Sequence, residues 1–560
     1  MKYFLGLVGL GHHDSAAALV NDSGDLLAAA EEERYTRIKF DSSFPKNSID
    51  FCLKSQKLDI DDIHSIGFFF DSKSFFWKRL KYAIKKPFYL KDYVYKYLKL
   101  KKYENIEKLV KKYYPTYRGK INLHHHHLCH ASSVFYCSPF EKATIISIDG
   151  VGEWETAWFG IGEGKIIKKL GSVEWPNSLG EFYASFTQFL GYVPNFDEYK
   201  VMGMAPYGEK KYFDVIENMI SNQKNFFEIN EKYFDFPVGR LPLYNQKEFT
   251  KIFGSPSEYS KNPSERDINL SASFQAKLSE CFLKYVKNAV NITGIKDVCL
   301  TGGVSMNCSA VGDLVKSGIV RNVFLNFASA DDGCAIGAAF LESENFSDKF
   351  TRKEIKNAFL GNDWSDQEIK DILDKKSLNY YIPNEGIIEK TASELHKGNV
   401  IGWFQDRTEF GQRALGARSI LANPTIKNMK DLINKKIKNR ENYRPFAPSV
   451  LANEVNNYFF TYGNSSPFMT HTFKAKDEKK DLISPVVHID GTARVQSVGE
   501  GSMYYDLIKS FYIKSNVPLL LNTSFNVNGM PIVNSPKDAI ECFLNTDIDN
   551  LSIGSFFCSK

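Results

Sequence analysis

No stretch of the sequence approaches the roughly 20 consecutive apolar residues of a membrane-spanning helix, which speaks against an integral membrane protein. No CxxC pair occurs either. The nine cysteines, an odd number, are scattered from Cys52 to Cys558, a pattern of isolated buried thiols in a reducing compartment and not of a disulfide framework or a zinc ribbon. The P-loop pattern GxxxxGK(S/T) and the dinucleotide fingerprint GxGxxG are not evident, which counts against P-loop kinases and NAD-linked dehydrogenases. Low-complexity tracts are missing too, so a disordered or collagen-like chain is excluded.

What is present is an ordinary globular composition of 560 residues, 43% hydrophobic and 24% charged. That length has room for about three or four domain-sized units. The net charge of +5 is unevenly placed: residues 71–120 carry 16 Lys/Arg against 4 Asp/Glu, a local +12, and leave the rest mildly acidic at −7. The same stretch holds 13 aromatic residues, among them Trp77, Tyr93, Tyr97, Tyr113 and Tyr114. It reads as a solvated amphipathic helical pair or, functionally, as a docking surface for an anionic acceptor such as a nucleotide sugar, a lipid-linked saccharide or an acidic polysaccharide. The opening MKYFLGLVGLG imitates a secretory leader, but His12, His13 and Asp14 stand where a cleavage region should be small and neutral. It reads as a buried strand, and the expected address is the cytoplasm.

From Lys2 to Ala30 three short apolar runs alternate with Gly/Asp/Asn turns, predicting a three-stranded antiparallel meander. A second copy runs from Ala143 to Val173 with turns at Asp149–Glu153 and Gly162–Gly164. Duplicated strand–turn–strand units of this kind point to an actin-like, sugar-kinase/Hsp70-like ATPase fold whose halves clamp a nucleotide. Helices are expected over Ser178–Val193 and Ser271–Gly294, and a strand entering Gly302-Gly303 is followed by a helix. Beyond Phe350 the texture becomes charged and helix-rich, so the domains are placed at 1–355 and 356–560. The second part is expected to build strands from GNVIGWFQ, VPLLLNTSF and LSIGSFFC.

The strongest chemical signal is HHHHLCHASSVFYCSPF. His126 and His130, at i and i+4, would share one helix face, where two neutral imidazoles can hold a divalent metal. On its own that spacing also fits a solvated polar patch. Asp149, closing the strand IISID in a DGxGE turn, and Asp331 or Asp332, ahead of the small-residue helix CAIGAAF, add strand-end carboxylates. Two histidines with aspartates suit iron(II) or another first-row metal better than magnesium. Gly302-Gly303 would let backbone approach a nucleotide phosphate at a helix N-terminus. Arg407, Arg413, Arg418, Arg440 and Arg444 fall within 38 positions, among Gly, Phe and Pro, and suggest bidentate recognition of phosphorylated substrates. Asn522, Ser524 and Asn526, after VPLLL, could hold a small amide. His13 and Lys39 carry no signal alone, although His13 lies in the first turn of the nucleotide clamp.

Together GHHDSAAALV, EEERYTRIKFD, HHxxHASSVFYCSPF, SIDGVGEWET, EYKVMGMAPYG, TGGVSMNC, ADDGCAIGAA, EFGQRALGARSIL, YRPFAPSVL, HIDGTARVQSV and LLNTSFNVNGMPIV resemble the NodU/CmcH carbamoyltransferase family, which includes nodulation-factor, cephamycin, novobiocin and tobramycin O-carbamoyltransferases. The resemblance runs in order from about residue 3 to 555. It implies an actin-like N-terminal domain similar to the tRNA threonylcarbamoyl transferase, with an iron-type metal site, and a C-terminal α/β domain similar to threonylcarbamoyl-adenylate synthase. It also implies an ATP-dependent O-carbamoyltransferase that converts carbamoyl phosphate through carbamoyl adenylate, with magnesium as a companion of ATP. A hydroxyl of a sugar or natural product would be the acceptor.

Carried over, His126, His130, Asp149 and Asp331 match metal ligands, Asp331 being hard to separate from Asp332. His13 matches the group that assists acceptor deprotonation, and Lys39, Gly302, Gly303 and Asn307 would face the adenylate in the N-terminal site. Arg413 and Arg444 match the carbamoyl-phosphate pair, with Arg494, Asn522 and Ser524 completing that site. No nucleic-acid partner is expected on this reading. The rivals are a tRNA threonylcarbamoylation-type enzyme, for which the basic stretch would bind RNA, and a non-catalytic nucleotide-sensing scaffold of actin-like fold.

Overall fold

The computed structural model describes residues 1–11, 14–86, 91, 103–223, 226–376 and 378–560. His13 lies outside the described residues, as do Tyr93, Tyr97 and the lysines Lys96, Lys99, Lys101 and Lys102 of the basic stretch. The chain forms two compact units: Met1–Leu27 with Ser42–Glu354, and Ala28–Asp41 with Ile355–Lys560.

The first unit is built on two sheets of one design. The first has β1 (Tyr3–Val8), β2 (Ala16–Asn21), β3 (Leu26–Glu31), β4 (Ile63–Phe68) and β5 (Lys120–Leu123) in the order β3-β2-β1-β4-β5. Here β1 is antiparallel to β2 and parallel to β4, which is parallel to β5, and β3 runs out of this unit at Ala28. The second has β6 (Lys142–Ile148), β7 (Glu155–Glu163) and β8 (Ile166–Glu174); a separate hairpin of β9 (Ile220–Gln223) and β10 (Phe226–Ile229) then precedes its remaining strands, β11 (Asp297–Thr301) and β12 (Asn322–Phe324). Its order, β12-β11-β6-β7-β8, repeats the first: β6 is antiparallel to β7, β7 to β8, and β6, β11 and β12 are parallel. Duplicated sheets ordered 3-2-1-4-5 are the actin-like arrangement that the repeated meander predicts.

β1 and β6 are apolar along nearly their whole length because both faces of each central strand are covered. The helix Gly333–Phe346, buried from Gly333 to Ser343, packs on the first sheet and against the helix His126–Phe135. The helices approach so closely that a Cβ at Gly337 would sit 1.9 Å from the Cys129 carbonyl, which is why this helix reads GCAIGAA. The predicted helix at 178–193 is Leu179–Phe189, capped by Ser178, and that at 271–294 begins earlier, as Glu265–Thr293 between a Ser264 cap and left-handed Gly294.

The second unit has an eight-stranded mixed sheet. Its strands are β13 (Tyr380–Tyr381), β14 (Ile401–Phe404), β15 (Arg418–Ala422), β16 (Ala447–Leu451), β20 (Gln496–Val498), β21 (Leu519–Ser524), β22 (Asn550–Ile553) and β23 (Phe556–Ser559), in the order β13-β23-β22-β14-β15-β21-β16-β20. A smaller sheet pairs β17 (Phe459–Phe460), β18 (Thr472–Ala475) and β19 (Thr492–Arg494). LSIGSFFC, expected as one strand, is two: Gly554, at φ +53°, and Ser555 turn β22 back into antiparallel β23. EEERYTRIKFD belongs to this unit. Arg34 donates to the Gly411 carbonyl at 2.7 Å, Arg37 to those of Ile532 and Pro531 at 2.6 and 3.0 Å, and the Tyr35 hydroxyl to Asn362 at 2.6 Å.

Candidate functional site

In the first unit four side chains converge at the mouth of the second sheet. His126 and His130 project from one face of the helix His126–Phe135. Asp149 follows the end of β6, and Asp331 lies one residue before the Asp332 cap of the helix Gly333–Phe346. One potential ligand atom from each lies within 4.8 Å of the others. Asp149 Oδ2 is 3.1 Å from His126 Nε2 and 2.8 Å from His130 Nε2, and Asp331 Oδ1 is 3.8 and 3.5 Å from the same atoms. Asp332 caps the helix that follows, its Oδ1 accepting the Gly333 amide at 2.9 Å. Of the two aspartates, Asp331 is the one grouped with the imidazoles and Asp149.

The electrostatics fit a cation. Burial and the Asp331 charge push Asp149 upward, but hydrogen bonds from His126 and His130 outweigh them and hold its carboxyl well below the usual carboxylate range. Burial pulls His130 down, yet Asp149 and Asp331 lift it to about 9. The two carboxylates thus favour a proton on the His130 imidazole, where a divalent ion could replace it. Thr301 Oγ1 lies 3.3 Å from His130 Nδ1 and orients the ring from behind. Two other histidines of the run are tied into the protein: His127 bonds Ser147 and the Glu155 carbonyl and is pushed to about 3 by burial and its two neighbours, and His124 bonds Glu342 at 2.6 Å. Cys334, which sequence reasoning passed over, is also close enough to pair with His126 and His130 as a ligand set.

The glycine pair adjoins this cluster. Gly302 has φ +87°, and a Cβ there would lie 2.3 Å from the Ile148 carbonyl; one at Gly303 would lie 3.0 Å from Asp149 Oδ1. Asn307 is engaged within the protein. Its Oδ1 caps the helix Cys308–Ser317 through the Ala310 amide at 3.0 Å and its Nδ2 donates to Gln275 at 2.9 Å.

In the second unit the arginine cluster separates into two kinds. Arg418 is wholly buried over Phe404 and donates to the carbonyls of Gln405 and Asp406 at 2.6 and 3.0 Å, and Arg407 donates to those of Gly361 and Leu360 at 3.0 and 2.6 Å. These two hold loops together and do not form part of an open anion site. Arg440 bonds Asn434 at 2.6 Å over the Phe446 ring, and Arg444 sits 3.4 Å from buried Glu441. Between them in charge stands Lys438, a residue the sequence reading did not single out. It ends the π-helical turn Ile433–Lys438, is 3% exposed, and donates to the Asn526 carbonyl at 2.9 Å, to Asn526 Oδ1 at 2.8 Å and to the Ser524 carbonyl. Burial foremost, then the charges of Arg440, Arg444 and Lys39, hold its pKa well below that of an ordinary lysine. Lys39, expected to face the adenylate in the N-terminal site, is thus grouped with the second unit and near its cationic cluster.

Asn522 is 2% exposed and donates to the Ala414 carbonyl at 3.2 Å and to Ser449 at 3.0 Å. Its Oδ1 and the Tyr504 hydroxyl are buried without a hydrogen bond of good geometry among the described residues, with Tyr504 lying beside the Ser449 and Asn522 side chains. Ser524 Oγ bonds Asn526 at 2.7 Å, Arg494 closes β19, and Arg413 is near enough to buried His471 to depress that imidazole. All nine cysteines are free thiols, and only Cys542 is not fully buried.

Two family descriptions match the chain, carbamoyltransferase N-terminus over residues 4–340 and carbamoyltransferase C-terminus over 392–560. The uncharacterized protein sll1178 of Synechocystis is 34% identical over 603 residues, covering 100% of this chain and 97% of that one. The nodulation protein NolNO of Sinorhizobium fredii is 35% identical over 98% of this chain and 79% of its own, and NolO of Bradyrhizobium diazoefficiens 36% over 78% of each. Full-length HypF in its phosphate- and nucleotide-bound form aligns with 62% of this chain and 56% of its own at 12% identity and a TM-score of 0.33. At that score the fold assignment rests on the strand order of the sheets themselves.

Proposed function

Because the chain belongs to the carbamoyltransferase family, and is a transferase of carbamoyl groups, we propose that its donor is carbamoyl phosphate, activated with ATP as carbamoyl adenylate, and that its acceptor is a hydroxyl of a sugar or natural product. The balance is simple. Water takes the phosphate from carbamoyl phosphate, a carbamate oxygen attacks the α-phosphorus of ATP with loss of pyrophosphate, and the acceptor oxygen then attacks the carbamoyl carbon with loss of AMP. Activation is needed because a carbamoyl group is a poor acyl donor until it carries a good leaving group.

The observation that carries this reading is that each unit has its own polar centre suited to one half. In the second, Lys438, Arg440 and Arg444 gather positive charge for phosphate oxygens, Arg413 and Arg494 would add to it, and the buried Asn522 Oδ1 could accept from the carbamoyl amide. In the first, His126, His130, Asp149 and Asp331 would hold a first-row divalent ion, iron(II) by donor type, beside the Gly302-Gly303 turn, whose amides would take the adenylate phosphate. Such an ion would draw charge from the carbonyl oxygen as the acceptor attacks. His13 would remove the acceptor proton.

The test separates the halves. With ATP and carbamoyl phosphate the protein should release pyrophosphate; Arg444→Ala should abolish that release, whereas His13→Ala should still form the adenylate and transfer it poorly. Equal loss of both half-reactions in both variants would contradict the division. Mass spectrometry of candidate glycans and nucleotide sugars, looking for the gain of one carbamoyl group, identifies the acceptor.

A further inference from the structure

One helix of the first unit carries its amphipathicity inside out. Phe76–Ile84 (FWKRLKYAI) fixes its polar side to the protein. Arg79 donates from Nε to the Glu153 carbonyl at 3.1 Å, from Nη1 to that of Ser72 at 2.8 Å and from Nη2 to that of Ser74 at 2.6 Å. The Tyr82 hydroxyl donates to Glu231 at 2.8 Å while its ring meets Trp154 edge-on, and Lys78 and Lys86 pair with Glu174 and Glu231. On the outer side Trp77, Leu80 and Ile84, at i, i+3 and i+7, fall within about 60° of arc. They are 77%, 37% and 65% exposed, with Phe76 at the edge of the stripe. A surface helix normally turns such residues inward.

The charge beside this stripe is unanswered. Lys73, Lys81 and Lys85 are exposed and have no acidic partner among the described residues. Bare Trp, Leu and Ile next to free lysines is the composition of a helix that lies in the headgroup layer of a bilayer, rings and aliphatic chains inward and ammonium groups at the phosphates. A second copy of the chain fits less well, because a two-fold contact would set lysines against lysines. A soluble polyanion would answer the lysines but leave Trp77 and Ile84 in water.

We propose that Phe76–Ile84 docks the protein peripherally on an anionic lipid surface, with Trp77, Leu80 and Ile84 entering the headgroup–acyl boundary and Lys73, Lys81 and Lys85 meeting lipid phosphates. Among the described residues no helix is long and apolar enough to cross a membrane, so the contact is one of surface adhesion. The docked helix is tied to the candidate metal centre, because Glu153, whose carbonyl holds Arg79, accepts the His126 amide on its carboxylate at 3.0 Å. The inference does not depend on the donor chemistry proposed above.

Flotation of the full chain with phosphatidylcholine vesicles, plain or containing roughly a third phosphatidylglycerol, tests it. The protein should float with the anionic vesicles only, and should be released by about 0.5 M salt. The double variant Trp77→Ser, Ile84→Ser should bind about tenfold more weakly, and Lys81→Glu, Lys85→Glu at least as much weaker. All four sites are exposed, so thermal midpoints should stay at the wild-type value and report that the fold is kept. Failure of the wild type to float, or unchanged binding in both variants, overturns the proposal. So does a lipid-free dimer that the Trp77/Ile84 variant dissolves, or lysine-dependent capture of soluble heparin without vesicle binding.

Discussion

Glu153 holds His126 by its backbone: one carboxylate oxygen, Oε1, accepts the His126 amide at 3.0 Å and, at the same distance, the amide of Asp71. The acid of the DGVGE turn therefore caps the histidine helix and joins the candidate metal centre to the start of the basic segment. Glu153→Ala should lower metal affinity by about 10- to 100-fold without touching a ligand, whereas Glu153→Gln, which keeps an acceptor oxygen, should stay near wild type. Competition with a chelator reads the difference, and equal affinity in the alanine variant would remove Glu153 from this role.

His471 gives an acid limit to the second unit. Burial, reinforced by the charge of Arg413, pushes its imidazole from 6.5 down to about 4. The folded protein holds it neutral while the unfolded chain would protonate it, so its contribution is present above about pH 6.5 and is lost as pH falls through 4. Across that window the wild type should lose on the order of 3 kcal/mol more than His471→Gln. Urea midpoints at several pH values measure the two slopes, and parallel slopes would mean that His471 does not titrate between the states.

The duplicated meanders were legible because their apolar runs and turns are contiguous in sequence. Of their parallel partners only β11 was, as the strand entering Gly302-Gly303; β4, β5 and β12, and the pairing of all four, are chosen by tertiary packing of distant segments. The convergence of His126, His130, Asp149 and Asp331 was legible for a chemical reason: buried imidazoles and strand-end carboxylates have few other uses. The arginines could not be told apart in the sequence, because they share the same Gly- and Phe-rich surroundings; in the fold Arg418 is tied to loop carbonyls, whereas Arg444 lies beside the Glu441 carboxylate. Lys438 was hidden in KKIKNR, where one lysine looks like the next until the π-turn buries it. The placement of residues 28–41 with the second unit depends on Arg34 and Arg37 reaching carbonyls more than 370 positions away.

Lys438 should be needed for both the shape and the charge of its site. Lys438→Met leaves the carbonyls of Ser524 and Asn526 without their donor and should cost roughly 1–3 kcal/mol, together with most of the pyrophosphate-releasing activity. Lys438→Arg should keep the charge and lose the activity, because a guanidinium cannot occupy the ammonium's compact position. A methionine variant with wild-type stability and turnover would show that the lysine holds neither the turn nor the substrate.

Three glycines separate the fold from the candidate metal centre. At Gly302 a side chain meets both a left-handed φ of +87° and a carbonyl 2.3 Å away, so Gly302→Ala should cost about 3 kcal/mol or more and disturb the whole turn. At Gly303 a methyl group would press only on Asp149 Oδ1 at 3.0 Å, so the fold should survive while the carboxylate that faces both imidazoles shifts. At Gly150, one residue beyond that aspartate, a Cβ meets nothing within 4 Å and alanine should change stability by no more than about 0.5 kcal/mol. Metal content and thermal midpoint measured together should therefore sort the variants: Gly302→Ala low in both, Gly303→Ala low in metal alone, Gly150→Ala low in neither. Loss of metal in Gly150→Ala would mean that the turn after Asp149 shapes the centre through its backbone, while full metal content in Gly303→Ala would mean that the carboxylate moves without consequence and that the two imidazoles with Asp331 suffice.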